Sequence, residues 1–191
     1  MKLIRHLLFV ALCLGGILSF AQDKPRVFVF TDVNINSGDP DDRQSLVHLF
    51  WYADELNIEG IVPDRWEAQG YEACGLAVDA YEKDYSILRE SDRGYPSPQR
   101  IREKIAKDWP MAQQLFQAAA SDTTAPLYVL IWGNMERFRD ALLMDPSVAD
   151  NLRVITIATG VMLESSIPHL PESWGKSPPC EQMNWNAFGR N

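Results

Sequence analysis

The chain has 191 residues, 46% of them hydrophobic, and sets 18 lysines and arginines against 26 aspartates and glutamates for a net charge of −8. Such acidity argues against a nucleic-acid partner, because phosphate neutralisation by lysine and arginine supplies most of that affinity. The aromatic and aliphatic content suffices for one real core, most simply in one domain.

The first 21 residues read as a signal peptide. Lys2 and Arg5 form a charged start, and Leu7 to Leu18 is an apolar run too short to span a bilayer comfortably. Ser19-Phe20-Ala21 supplies a small-x-small cleavage site before Gln22. Cys13 follows Leu12 where a lipidation site wants a small residue, so no stable membrane anchor is expected. The expected mature chain, residues 22–191, is exported to a periplasm or beyond and carries 16 basic against 26 acidic residues. Its two cysteines, Cys74 and Cys180, have the option of pairing in an oxidising compartment, but Cys74 lies in an apolar helical pattern and reads as buried.

Helix and strand signals then alternate. Arg26 to Phe30 is a short apolar strand that ends in Thr31-Asp32. A loop containing Asn34 to Gly38 delivers Asp39, Asp41 and Asp42 to an amphipathic helix, on which Leu46, Leu49, Phe50, Ala53 and Leu56 recur at helical spacing. Ile58 to Val62 reads as a second strand, and Ala68 to Tyr85 as a helix with Ala73, Leu76, Ala77, Ala80 and Tyr81 on one side. Tyr95-Pro96-Ser97-Pro98 is a break, with Ser97 or Pro98 opening a helix around Ile101 and Ile105. Pro110 to Ala120 continues the helical layer, Leu127 to Ile131 is a third strand, Met135 to Met144 a helix and Arg153 to Ile157 a fourth strand. Continuous rather than alternating apolar strands, separated by helices, predict an open, mostly parallel α/β sheet covered on both faces. Beyond Gly160 the pattern changes to Pro168, Pro171, Pro178 and Pro179 with Trp174, Trp185 and Phe188 among polar residues. This segment reads either as a functional loop over the sheet edge or as the front of a longer, C-terminally incomplete domain.

The carboxylates around the first strand-to-helix turn carry the functional signal. Asp32, Asp39, Asp41 and Asp42 repel one another when ionised, and a cation or a shared proton relieves them. Asp41 and Asp42 open a helix, where the macrodipole favours anions. A hard-cation site at the carboxyl end of a strand is the economical reading, since open α/β sheets place their chemistry there. Asp39 or Asp41 also suits a helix cap, and Gly133-Asn134 suits a simple βα turn. His48 reads as structural, and Trp51, Tyr52 and Trp66 as core or sheet-edge packing.

The stretches KPRVFVFTD…DPDDRQSLVHLFWYADELNIEGIV, YPSP and LYVLIWGNMERFRDAL resemble the calcium-dependent nucleoside hydrolases, and more closely the nucleoside hydrolase-like domain of secreted bacterial proteins. The resemblance implies a Rossmann-like nucleoside hydrolase fold and an opening aspartate cluster that binds calcium, which holds a water and a ribose diol. Carried over residue by residue, it implies that Asp32 binds the metal and acts as general base. Asp42 becomes the second carboxylate ligand, the main-chain carbonyl of Trp132 a further ligand, and Asp41 an acceptor for a sugar hydroxyl. In CEQMNWN, Glu181 and Asn184 are similar to the acid and amide that grip the ribose. The implied ligand is a small sugar or nucleoside-like molecule; association into a homo-oligomer is compatible with the sequence.

Departures from the family pattern are visible. Phe30 stands where the classical motif has an aspartate two residues before the metal-binding one, and eight residues separate Asp32 from Asp41. The family's later aspartate ligand and its leaving-group histidine are expected beyond Asn191. Two functions follow: an exported calcium-dependent hydrolase of N-ribosidic or related glycosidic bonds, or a carbohydrate-binding protein that keeps the fold without turnover. A phosphatase built on an aspartyl nucleophile is rejected, because Val33 and Asn34 follow Asp32 where that chemistry needs a second aspartate two residues on.

Overall fold

The computed structural model describes residues 24–36, 40–63, 67–133 and 135–157. They form strand β1 (Arg26–Thr31), helix α1 (Asp41–Trp51), β2 (Asn57–Pro63), α2 (Glu67–Leu88), the short α3 (Pro98–Arg102), α4 (Trp109–Ser121), β3 (Leu127–Ile131), α5 (Glu136–Met144) and β4 (Leu152–Thr156). The four strands make one parallel sheet in the order β2-β1-β3-β4. Every residue of β1 is buried, as a central strand covered on both faces requires.

Alternate β1 residues feed two cores. Val27 and Val29 pack with Leu46, Leu49 and Phe50 of α1 and with Ala73, Cys74 and Tyr81 of α2. Phe28 and Phe30 pack on the other face with Phe116 of α4, Phe138 of α5 and the β3 residues Leu127, Val129 and Ile131. The Phe30 ring lies 5.9 Å from that of Phe116 and 5.7 Å from that of Phe138, near edge-to-face. An aspartate at position 30 would bury an unpaired charge among these rings. Gly60 is needed opposite: a Cβ there would lie 2.3 Å from the Phe28 ring.

Local chemistry explains several boundaries. Ser97 caps α3 by accepting the Arg100 N–H at 3.2 Å, with Pro98 in the first turn. Asp108 caps α4 through the Met111 N–H at 2.9 Å. Arg26, only 6% exposed, donates to the carbonyls of Ala119, Asp122 and Ala125 and to Glu59, so a buried charge closes the end of α4 onto the foot of β1. Cys74 is buried, as expected; Cys180 lies outside the described residues.

Three expectations are corrected. Helix α1 stops at Trp51, where the Tyr52 N–H closes on the carbonyls of His48 and Leu49, so Ala53 and Leu56 reach the core from a turn rather than from the helix. Trp51 and Tyr52 are not packed inside; they stand 47% and 63% exposed where the helix runs out of core to cover. Strand β4 is apolar but not covered on both faces: Val154 and Ile155 are exposed at the sheet edge of the described residues. No helix among the described residues is long and apolar enough to cross a membrane.

Candidate active site at the carboxyl ends of β1 and β3

The chain leaves β1 toward β2 on one side of the sheet, whereas β3 pairs with β1 on the other. The carboxyl ends of β1 and β3 therefore flank the topological switch point, where open α/β sheets leave a crevice for ligands. Asp32 is the first residue beyond β1. Trp132 and Gly133 are the first two beyond β3, and the Trp132 N–H donates to the Phe30 carbonyl at 2.9 Å, which carries the pairing one residue past the strand. Glycine is required next: a Cβ on Gly133 would sit 2.5 Å from Asp32 Cγ and 2.8 Å from Asp32 Oδ2. The half-buried Asp32 side chain thus lies directly against the β3 turn.

Asp42 arrives from the opposite wall. It shares the buried stripe of α1 with Leu46, Leu49 and Phe50, which follow it at four, seven and eight residues, so the helix turns its second carboxylate inward as it docks. Thr31, the last residue of β1 and fully buried, donates its hydroxyl to Asp42 Oδ2 and accepts the Val33 N–H at 3.1 Å. Asp41 is off that stripe and exposed; its Oδ1 accepts the Asp42 N–H at 2.8 Å, one of the donors that a helix start leaves without an intrahelical partner. The N-cap itself is Pro40, which makes no side-chain bond, so Asp41 meets this donor as the first helical residue rather than as the cap.

Burial pushes the Asp42 carboxyl from the ordinary 3.8 up to about 7; the Thr31 hydrogen bond opposes the rise, and the charges of Asp32 and Asp41 and hydrogen bonding with Asp32 add to it. Asp32 and Asp42 therefore form a close like-charge pair with Asp41 beside it. Among the described residues no group of three or more His, Cys, Asp or Glu side chains gathers as a metal-ligand cluster. With position 30 taken by phenylalanine, the donors among the described residues are two carboxylates and neighbouring main-chain oxygens. That set suits a hard, oxygen-preferring cation completed by water and substrate oxygens, and a strained pair of this kind is what a cation relieves.

Asp39, Trp66, Asn134, Glu181 and Asn184 lie outside the described residues. Sequence reasoning missed Thr31 and Gly133 as parts of the site. The usable signals were a hydroxyl residue just before the strand-end aspartate, and a glycine immediately after the neighbouring strand.

The family described as cellulose-binding Sde182, nucleoside hydrolase-like domain matches residues 26–158. That span runs from the first residue of β1 past the end of β4. No curated protein and no solved structure matches the chain.

Proposed function

The chain belongs to this nucleoside hydrolase-like family, and from that premise we propose that it is an exported, calcium-dependent hydrolase of N-ribosidic or related glycosidic bonds. The observation that carries the reading is the approach of Asp32 to Asp42 at the switch point, from two different elements and with burial raising the second carboxyl. Asp32, Asp42 and the Trp132 carbonyl would hold the cation, which when bound supplies a Lewis acid for water and an anchor for a sugar diol. Asp32, half-buried at the crevice, takes the proton of the attacking water as general base. Asp41, exposed beside the pair, offers its carboxylate to a sugar hydroxyl, and Glu181 with Asn184 grips the same sugar. The anionic wall also stabilises the positive charge that develops on the sugar as the glycosidic bond opens.

The test is release of base or aglycone from a panel of ribosides and simple glycosides in calcium, by wild type and by Asp32→Asn. The amide still coordinates through oxygen but takes no proton, so turnover should vanish while sugar affinity survives. Robust turnover by Asp32→Asn would put the chemistry elsewhere.

A second reading, a carbohydrate-binding protein without turnover, draws on the description of the family as cellulose-binding and on Phe30, which stands where the resemblance implies an aspartate. Calcium-dependent sugar affinity with no product at any enzyme concentration would favour it.

A further inference from the structure

We propose that Thr31 is the positioning residue of the carboxylate pair, a buried hydroxyl that locks the Asp42 carboxyl in one orientation toward Asp32. Its Oγ1 accepts the Val33 N–H at 3.1 Å and donates to Asp42 Oδ2, and the residue is wholly inaccessible to solvent. An N–H can only donate, so that bond occupies a lone pair and leaves the single hydroxyl hydrogen for Asp42. The two bonds together tie the strand end, the residue after Asp32 and the first turn of α1 to one atom. They close a loop whose ends, Asp32 and Asp41, must return to the same crevice across eight intervening residues. Sterically Thr31 does nothing that valine would not do; what it adds is the hydrogen bond to a carboxylate that α1 packing turns inward. Thr31 acts through Asp42, without touching substrate.

This inference rests on the reading of Asp32 and Asp42 as a cation site, and the test separates the two. Thr31→Val removes the hydroxyl at nearly constant shape, and Thr31→Ser restores it. In the metal-free full chain, NMR couplings that report the Asp42 χ1 rotamer, and exchange of the Val33 amide, should show a single rotamer and protection in wild type and Thr31→Ser. Thr31→Val should show rotamer averaging and faster exchange; a single rotamer there overturns the proposal. Titrated with calcium alone, Thr31→Val should bind about 10- to 100-fold more weakly, the usual cost of losing a group that orients a metal ligand, with Thr31→Ser close to wild type. Equal affinity of Thr31→Val and wild type also overturns it. If wild type takes up no calcium, the cation reading fails, and the rotamer measurement alone decides the role of Thr31. Should Thr31→Val not fold, Thr31→Ala goes through the same two measurements.

Discussion

Gly133 and Asp32 meet so closely that a Cβ on the glycine would fall within 2.5 Å of the aspartate's Cγ. The contact joins the ends of two neighbouring parallel strands and leaves Asp32 no room to swing toward β3. The side chain that opens the switch-point crevice is therefore held by the absence of one on the facing turn.

Gly133→Ala should displace Asp32. Overpacking at such a contact costs about 1–3 kcal/mol, readable as a lower urea midpoint, and the displaced carboxylate should also weaken the calcium response. A variant with wild-type midpoint and wild-type calcium response would show that Asp32 is not held by this turn.

The raised Asp42 carboxyl makes stability depend on pH with a definite sign. Its folded value near 7 exceeds the ordinary 3.8, so between those values the folded state holds the proton more tightly than the unfolded state. Without metal, the contribution of Asp42 is fully present below about 3.8 and is lost as pH rises through about 7. Asp42→Asn, which stays neutral and still accepts the Thr31 hydroxyl, should be more stable than wild type at pH 8 in chelator, with the advantage shrinking toward pH 4. Urea melts at the two pH values check this; a difference that grows on acidification has the wrong sign.

Asp41→Ala should raise KM and leave kcat nearly unchanged, so that kcat/KM falls, because a hydroxyl contact made equally in ground and transition states is uniform binding. The change also removes the carboxylate that accepts the Asp42 N–H in the first turn of α1, so a loss of stability of about 0.3–1 kcal/mol, the scale of an acidic side chain near a helix N-terminus, is expected beside the kinetic effect. Steady-state kinetics on the best substrate of the panel, with a urea melt of the same preparation, separates the two. An unaltered KM would leave Asp41 with its helix role alone.

Most of the elements were legible because short apolar runs such as Val27 to Phe30 and Leu127 to Ile131, bounded by turn signals, fit parallel strands, buried throughout in β1 and at alternate positions in β3, and because Ser97 and Pro98 mark a helix start chemically. Strand order was not legible: periodicity marks a strand without naming its neighbour. The end of α1 was misplaced since Ala53 and Leu56 keep helical spacing although the chain has turned at Tyr52. The exposure of Trp51, Tyr52 and Ile155 depends on what packs above them, which composition does not encode. In the site, the nearness of Asp32 and Asp41 to Asp42 was legible from spacing, but among the described residues the three side chains do not gather as a metal-ligand cluster. The different orientations of Asp41 and Asp42 were readable in principle, since Asp42 falls on the Leu46, Leu49 and Phe50 stripe and Asp41 does not. The contacts of Thr31 with Asp42 and of Gly133 with Asp32 arise only when separate segments meet.

Thermal unfolding of wild type and Asp42→Ala in chelator, in saturating calcium and in saturating magnesium tests the central claim, a cation held by the Asp32–Asp42 pair, most directly. A ligand that binds only the folded state stabilises it by mass action, by about 2.7 kcal/mol at a hundredfold excess over its Kd. Calcium should raise the wild-type Tm clearly and magnesium less, since its small rigid octahedron suits a two-carboxylate loop poorly; Asp42→Ala should lose most of the gain. Coincident wild-type melts in chelator and in calcium, or a calcium shift that survives Asp42→Ala intact, would contradict the account.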